Sequence, residues 1–552
     1  MQQPGHREWT GELRSEHDIV VVGSGAIGLT AALAASRAGA DVAVLEKGPC
    51  LGGTAALSGG MVWIALNHQM REMGIADDRE DALRYLRAVC EERTPEPVLA
   101  AVVDRGDELL GFLEAEADLR FEPLENFPDY HPEWDGAHAG GRSLEPVLYD
   151  GSRLGELVDA LRPDARPPFT MREYEEWGTF TRFPWSQLDQ RARDGMVARG
   201  RAFVAPLVRA CADAGVTLVT GLGARRLTTD GGAVDGVVTT DGRTIGAARG
   251  VILTCGGFEW APEMTRSFLS GPVQGACSPP HNTGDGIRMA SKVGAKLGSM
   301  REAWWGPMVQ VPGEETDGEV RSTLLRFERT GPGTVIVNRA GRCFVNEAHN
   351  YNDMTKAFHL FDPRAYRYAN LPAWLIFDQR HLETYGFLSH RSDQPTPEWL
   401  HRAPTLEALA ALIDVDAGGL LESLERFNAN ARAGEDPDFH RGESAYDRYW
   451  GDQSAPYPAL GPVDAAPFYA IEVISGVLGT KGGVVTTADG QAVDAFDEPI
   501  AGLYAAGNTS AHPMGPGYCG AGATLGPGAT MAYLAALHCV RAGTRDPGAA
   551  VT

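Results

Sequence analysis

The run Gly23-Ser24-Gly25-Ala26-Ile27-Gly28 follows the β-branched stretch Val20–Val22 and precedes an alanine-rich segment. A strand, a three-glycine turn and a helix in that order leave few folds open. The pattern predicts a βαβ unit: strand Asp18–Val22, helix about Ile27–Ala38, a cap at Gly39 and strand Asp41–Glu46. Gly23, Gly25 and Gly28 suit a tight turn, close approach of backbone to a pyrophosphate and close helix–strand packing. The helix N-terminus, with Ala26 in the turn before it, offers unpaired N–H groups and a favourable dipole. Glu46 arrives eighteen positions after Gly28 and is expected to accept from ribose hydroxyls, with Lys47 beside it.

Further glycine-rich segments extend this unit. In Gly52–Gly60 the candidates are Gly53, Thr54, Ser58, Gly59 and Gly60, small residues that let the chain pass close to a flat ring system. Gly250–Phe258 reads as a buried strand ending in a turn at Thr254, Gly256 and Gly257. Asn282–Gly286, which contains the candidate Asp285, opens another helix. Near the other end, Leu503–Asn508 is expected to run through Gly507 and Asn508 into a glycine loop, Gly515–Gly526, which contains Tyr518, Gly522, Thr524 and Leu525. The two ends look like halves of one flavin site. The block between changes texture: strand-like Thr334–Asn338, aromatic-rich Tyr351–Phe387, a helical region Leu406–Ala433 and a charged segment Glu435–Asp452. The expected fold is α/β, a discontinuous Rossmann-like FAD-binding domain (residues 1–305 and 479–552) with an inserted α+β catalytic domain (306–478).

Bulk properties narrow the partners. A net charge of −24, from 49 Lys and Arg against 73 Asp and Glu, opposes binding to nucleic acid. The eight cysteines are dispersed, with no C-x-x-C pair and no zinc spacing, so reduced thiols and no metal are expected. The first sixteen residues carry both signs of charge and no apolar core of a secretory leader. Ile19–Ser36 is free of charge, but it reads as strand, turn and helix rather than as a membrane span. A cytoplasmic protein without an integral membrane segment is expected, with contact at a membrane surface left open.

Taken together, Gly23–Gly28, Glu46, Gly52–Gly60, Thr254–Gly257 and Leu503–Asn508 resemble the fumarate reductase/succinate dehydrogenase flavoprotein superfamily. Within it the chain is most similar to the 3-ketosteroid Δ1-dehydrogenases. The segments that carry this are Phe127–Glu133, Phe344–Glu347 with Tyr351, Pro372–Asp378, Asp438–Gly442, Gly479–Gly483 and Met514–Thr524. The resemblance implies FAD and oxidation of the C1–C2 bond of a 3-ketosteroid or related cyclic ketone, with a quinone-like or other electron acceptor. It implies that Tyr518 and the Gly522 N–H grip the C3 ketone, that Tyr351 takes a proton from C2, and that Tyr130 supports Tyr351. Hydride from C1 would pass to flavin N5. Covalent relatives place a histidine directly before the small-residue run, whereas Gly53 precedes Thr54 here, so FAD is expected to be non-covalent.

The chemistry of the residues agrees. An α hydrogen becomes removable when the developing enolate oxygen meets preorganised donors, here a phenol and a loop amide. A phenol with a pKa of about 10 needs a donor on its oxygen to act as a base near neutrality. Tyr518 stands in a loop with little core of its own to join. Cys519 occupies a position where proline is common in the family, which predicts a less restricted peptide, and the extended, charged segment Glu314–Thr330 is expected to reshape the mouth of the site.

Three alternatives stay open. A fumarate reductase-like enzyme needs clustered Arg and His for two carboxylates, but Met514–Gly526 contains neither and His512 before it reads as structural. A Δ4-(5α)-dehydrogenase would carry serine where Gly520 stands. A flavin-bearing sensor would have no use for a base and an oxyanion donor.

Overall fold

A computed structural model describes residues 7–178, 182–388 and 390–542, so the reading of the first six residues lies outside it. The larger sheet has nine strands, and five of them run parallel in the order Thr217–Thr220, Val42–Leu45, Glu16–Val22, Thr244–Leu253 and Pro499–Ala505. The stretch Ile19–Val22 of strand Glu16–Val22 is apolar on both faces because both are covered. Ile19 and Val21 enter one core, Val20 and Val22 the other.

The expected βαβ unit is present, with helix Ala26–Arg37 and second strand Val42–Leu45, each within two residues of the reading. Gly39 (φ +90°) takes the chain out of the helix. The C-terminal helix Gly526–Ala542 packs on helix Ala26–Arg37, where small residues permit close approach: a Cβ on Gly528 would lie 3.1 Å from Ile27 Cδ1.

Among the described residues the second sheet has seven strands. Its long central strand, Phe468–Thr480, pairs antiparallel with Ala303–Thr316 and Ala373–Asp378, and Thr334–Asn338 follows beyond the latter. The expected helical region Leu406–Ala433 is two helices, Leu406–Leu412 and Ala417–Ala433. The break falls where Asp416 caps the second by accepting from the Gly419 N–H at 2.6 Å. The extended segment after Glu314 is a hairpin, Ala303–Thr316 and Glu319–Leu324, turning at Asp317. Among the described residues no helix is long and apolar enough to cross a membrane.

Candidate active site

The carboxyl ends of the parallel strands carry the glycine segments. Adding a Cβ at Gly25 or Gly59 would meet nothing within 4 Å, and at Gly53 it would meet only Gly25. Facing backbones with open space between them form a cradle. Helix Ala26–Arg37 begins there with no side chain capping it, so its first N–H groups are available to a phosphate. By contrast, a Cβ at Gly28 would lie 2.0 Å from the Gly23 carbonyl, and one at Gly23 2.5 Å from that of Thr254. These two glycines serve packing, whereas Gly25, Gly53 and Gly59 leave room. The donor set fits a dinucleotide.

Glu46 sits at the strand end, buried, and its carboxylate accepts from Ser24 N–H (3.0 Å), Ser24 Oγ (2.7 Å) and Gly48 N–H (2.7 Å). It braces the phosphate turn in addition to any ribose contact. Lys47 and Asp285 pair with each other at 2.6 Å, with Thr283 on the same ammonium. Thr54 accepts from Asn282, which also donates to buried Glu259. That Thr54–Asn282–Glu259 chain had no signal in the motif beyond the helix start. Thr254 Oγ1 donates to the Val22 carbonyl. A Cβ at Gly256 would meet the Asn282 amide, and one at Gly257 the Thr480 hydroxyl. A Cβ on Gly60 would lie 2.4 Å from the Arg199 carbonyl carbon, and Gly507 takes φ +62°. Asn508 accepts from Trp304 Nε1 at 2.9 Å, Leu525 packs on the main core, and Ser58 donates to the Ala55 carbonyl.

Tyr130, Tyr351 and Tyr518 come together from three distant parts of the chain. Tyr130 Oη donates to Tyr351 Oη at 3.2 Å, and the ring centroids of Tyr518 lie 5.0 and 5.5 Å from those of Tyr130 and Tyr351. All three are buried. Tyr351 opens helix Tyr351–Lys356, whose cap is the Asn350 side chain accepting from the Asp353 N–H. The loop before Tyr130 is held by buried Asp129, which accepts from Trp63 Nε1 (2.7 Å) and from Arg142 (2.9 Å).

The expectation that Tyr518 has little core to join is wrong. Its ring lies 4.6 Å from that of Trp304, and Tyr130 and Tyr351 complete the surroundings. The core is supplied by other elements, which a local reading of the loop does not see. Cys519 does not loosen the peptide either, since its carbonyl accepts from Tyr85 Oη (2.7 Å) and from Tyr130 N–H (2.9 Å). A Cβ at Gly520 would lie 2.5 Å from Trp63 Cδ1, so a serine cannot stand there without movement. Gly522 has φ +92° and a Cβ there would meet the Val62 backbone at 2.5 Å. Among the described residues, its N–H has no acceptor.

Lys481 was missed as a site residue. Fully buried, it donates to the carbonyls of Gly517 (2.6 Å) and Pro516 (3.2 Å) and sits 4.2 Å from the Trp304 ring centroid, pinning the loop of Tyr518. Burial, then repulsion by Lys356, lowers its pKa to about 7. The only sequence signal was its place in the Gly479–Gly483 segment. His512 has Nδ1 3.3 Å from the Met514 N–H and Nε2 3.3 Å from the Thr524 carbonyl, and burial lowers its pKa to about 3. It is neutral and structural.

The three phenols differ in environment. Burial, then the neighbouring phenols, drive Tyr130 well above the ordinary range. Tyr351 is also driven up, by burial first and then by the charge of Tyr518, while the hydrogen bond from Tyr130 pulls the other way. Burial raises Tyr518 as well, opposed by hydrogen bonds with Thr524 and Tyr351 and by the charge of Arg326. Near them, ligand atoms of His131, His349 and Asp353 lie within 4.8 Å of one another; His131 and Asp353 already form an ion pair at 2.9 Å.

The model of the FAD binding domain family matches residues 18–525. The 4-oxocyclohexanecarboxylate 2-dehydrogenase of Sinomonas cyclohexanicum is 50% identical over 95% of this chain and 93% of its own length. The 3-oxosteroid 1-dehydrogenase of Mycolicibacterium smegmatis is 39% identical over 95% and 97%. Among solved structures, the 3-ketosteroid Δ1-dehydrogenase of Sterolibacterium denitrificans in complex with 1,4-androstadiene-3,17-dione superimposes with a TM-score of 0.90 at 36% identity. That match covers 96% of this chain and all of that one. The chain belongs to the FAD-binding-domain family of flavoproteins and is an FAD-dependent oxidoreductase related to these ketone dehydrogenases.

Proposed function

We propose that this protein removes two hydrogens from adjacent carbons of a cyclic ketone, beside the carbonyl, to give the conjugated enone. The observation that carries this reading is the triad of buried phenols, one of them in the same loop as the Gly522 N–H, which has no acceptor among the described residues. In it, Tyr518 Oη and Gly522 N–H hold the ketone oxygen and donate more strongly as it becomes an enolate. The acidified α proton goes to Tyr351 Oη, and Tyr130 steadies the resulting phenolate by donating to it. Bound FAD supplies the two-electron acceptor for the β hydrogen. It would be held without a covalent bond by Gly25, Gly53, Gly59, Glu46 and the start of helix Ala26–Arg37, in a domain formed by residues 1–305 and 479–552 around residues 306–478.

A 3-ketosteroid oxidised at C1–C2 and a 4-oxocyclohexanecarboxylate oxidised beside its ketone present the same reacting unit. Identity to a relative acting on the second is 50%, against 39% for one acting on the first, which favours the monocyclic substrate. The test is anaerobic mixing of the yellow protein with each ketone and with succinate, without pyridine nucleotide. Bleaching by a cyclic ketone, slowed by deuterium at the β carbon, is expected. Bleaching by succinate alone rejects the reading, whereas a steroid product desaturated at C4–C5 would keep it and exclude C1–C2 chemistry.

A further inference from the structure

Resting on the ketone reading above, we propose that Arg326, backed by Arg199 and Arg166, forms an anion site in the substrate pocket. The site takes the carboxylate of a cyclohexanone carboxylic acid whose ketone lies against Tyr518 and Gly522.

Two of the guanidinium groups, Arg166 and Arg199, flank Asp164, and the charge of Arg326 reaches Arg199. Arg166 Nη2 donates to the carbonyls of Leu57 (2.7 Å) and Ser58 (3.3 Å), which belong to the second glycine segment. Arg199 opens helix Arg199–Asp213 beside Gly60, in the left-handed region at φ +54°, a strained conformation for a side chain that is almost wholly buried. Its Nη2 donates to the Pro167 carbonyl, and its buried Nε has no partner. Arg326 precedes Phe327 and is partly buried. Among the described residues its guanidinium has neither a hydrogen-bond acceptor nor an ion-pair partner, although its charge reaches Tyr518.

The local acids do not balance these charges. Asp164 is engaged by Arg166 through contacts of 2.7 to 3.0 Å and stands 3.8 Å from Arg199. Glu145 accepts from backbone N–H groups of Met171 and Arg172, and burial raises its pKa to about 7. Glu328 accepts from the Arg326 N–H and is likewise raised by burial. Arg199 registers the imbalance: burial, then repulsion by Arg166 and Arg326, lowers it to about 9, with Asp164 opposing. Partly buried cations crowded together without enough anions mark a place for a ligand anion.

A chain of packed aromatic rings links Arg326 to the phenols. Phe327 packs on Tyr174 (4.0 Å) and Trp450 (4.9 Å), Trp450 on Phe127 (5.2 Å), and Phe127 faces Tyr130 (6.4 Å). This aromatic wall runs from the residue beside Arg326 to the tyrosine triad. The FAD pyrophosphate has donors of its own at the start of helix Ala26–Arg37, in the Gly25–Gly53 space.

The test compares 4-oxocyclohexanecarboxylate with its methyl ester in anaerobic flavin reduction, using holoenzyme of measured FAD content. The acid should exceed the ester in kcat/KM by roughly 10- to 100-fold, the range for a hydrogen-bonded charge. In Arg326→Gln that ratio should fall towards one through the KM of the acid, and Arg326→Lys should recover part of it. Equal use of acid and ester by the parent, or an unchanged ratio in Arg326→Gln, overturns the anion site. If neither ketone bleaches the flavin, the ketone reading fails instead, and calorimetric titration with cyclohexanecarboxylate still decides the site. Saturable binding weakened at least tenfold by Arg326→Gln supports it; no binding to the parent overturns it.

Discussion

Tyr351 is a phenol pulled in two directions: burial and the charge of Tyr518 oppose its ionisation, and the proton donated by Tyr130 favours it. A group so placed is a strong base when ionised, but it ionises only with help. Tyr351→Phe should leave ketone binding in place and slow flavin reduction by roughly two to four orders of magnitude. Stopped-flow reduction at near parental rate would remove Tyr351 from the role. Because its pKa is raised, reduction by the parent should accelerate as pH rises into the alkaline range. Tyr130→Phe, losing the donated hydrogen bond, should push that rise to higher pH. A profile unmoved by Tyr130→Phe would mean that Tyr130 only packs.

At the scale of elements, the site depends on a loop and a helix far apart in sequence. Tyr130 is followed by His131 and Tyr351 by Asn352-Asp353, so the His131–Asp353 ion pair ties the two elements one residue beyond Tyr130 and two beyond Tyr351. Burial alone would lower His131, but Asp353 and then Glu133 raise it to about 9. With an ordinary pKa near 6.5, its contribution is full below that pH and is lost as pH rises through 9. His131→Gln should therefore cost about 2 kcal/mol at pH 6 and almost nothing at pH 10, measured by urea unfolding. An equal loss at both pH values would refute the ion-pair account.

Such ties explain what could be read in advance. The βαβ unit, the strand into Thr254 and the final glycine loop were legible because each is local: alternation, glycine spacing and a helix start lie within a few residues. The pairing of Tyr130 with Tyr351 came from family resemblance and not from spacing, since 221 residues separate them. Lys481 and the Arg326 cluster were not legible. Burial and the lack of a partner are properties of the packed molecule, and a lone basic residue in sequence reads as solvated.

Across the whole molecule the two sheets are joined by more than the chain. Asp317, at the tip of the hairpin Ala303–Leu324, accepts from Arg162 (2.9 Å) and His281 (2.8 Å). The Arg162 N–H in turn donates to the Leu51 carbonyl, directly before the second glycine segment. The segment read as reshaping the mouth of the site therefore also latches the second sheet onto the FAD cradle. Arg162 is 3% exposed along its side chain, so Asp317→Ala would leave a buried guanidinium without its ion-pair partner, at a cost of about 3 kcal/mol. If the latch holds the cradle shut, the substitution should raise the Kd for FAD by roughly tenfold or more, while kcat at saturating FAD changes little. Stability loss spread evenly would instead lower the Tm of the apoprotein and holoprotein alike and leave the Kd unchanged. Fluorescence titration of the apoprotein with FAD, set beside thermal unfolding of both forms, separates these outcomes, and an unchanged Kd would show that the hairpin is only attached to the cradle and does not hold it.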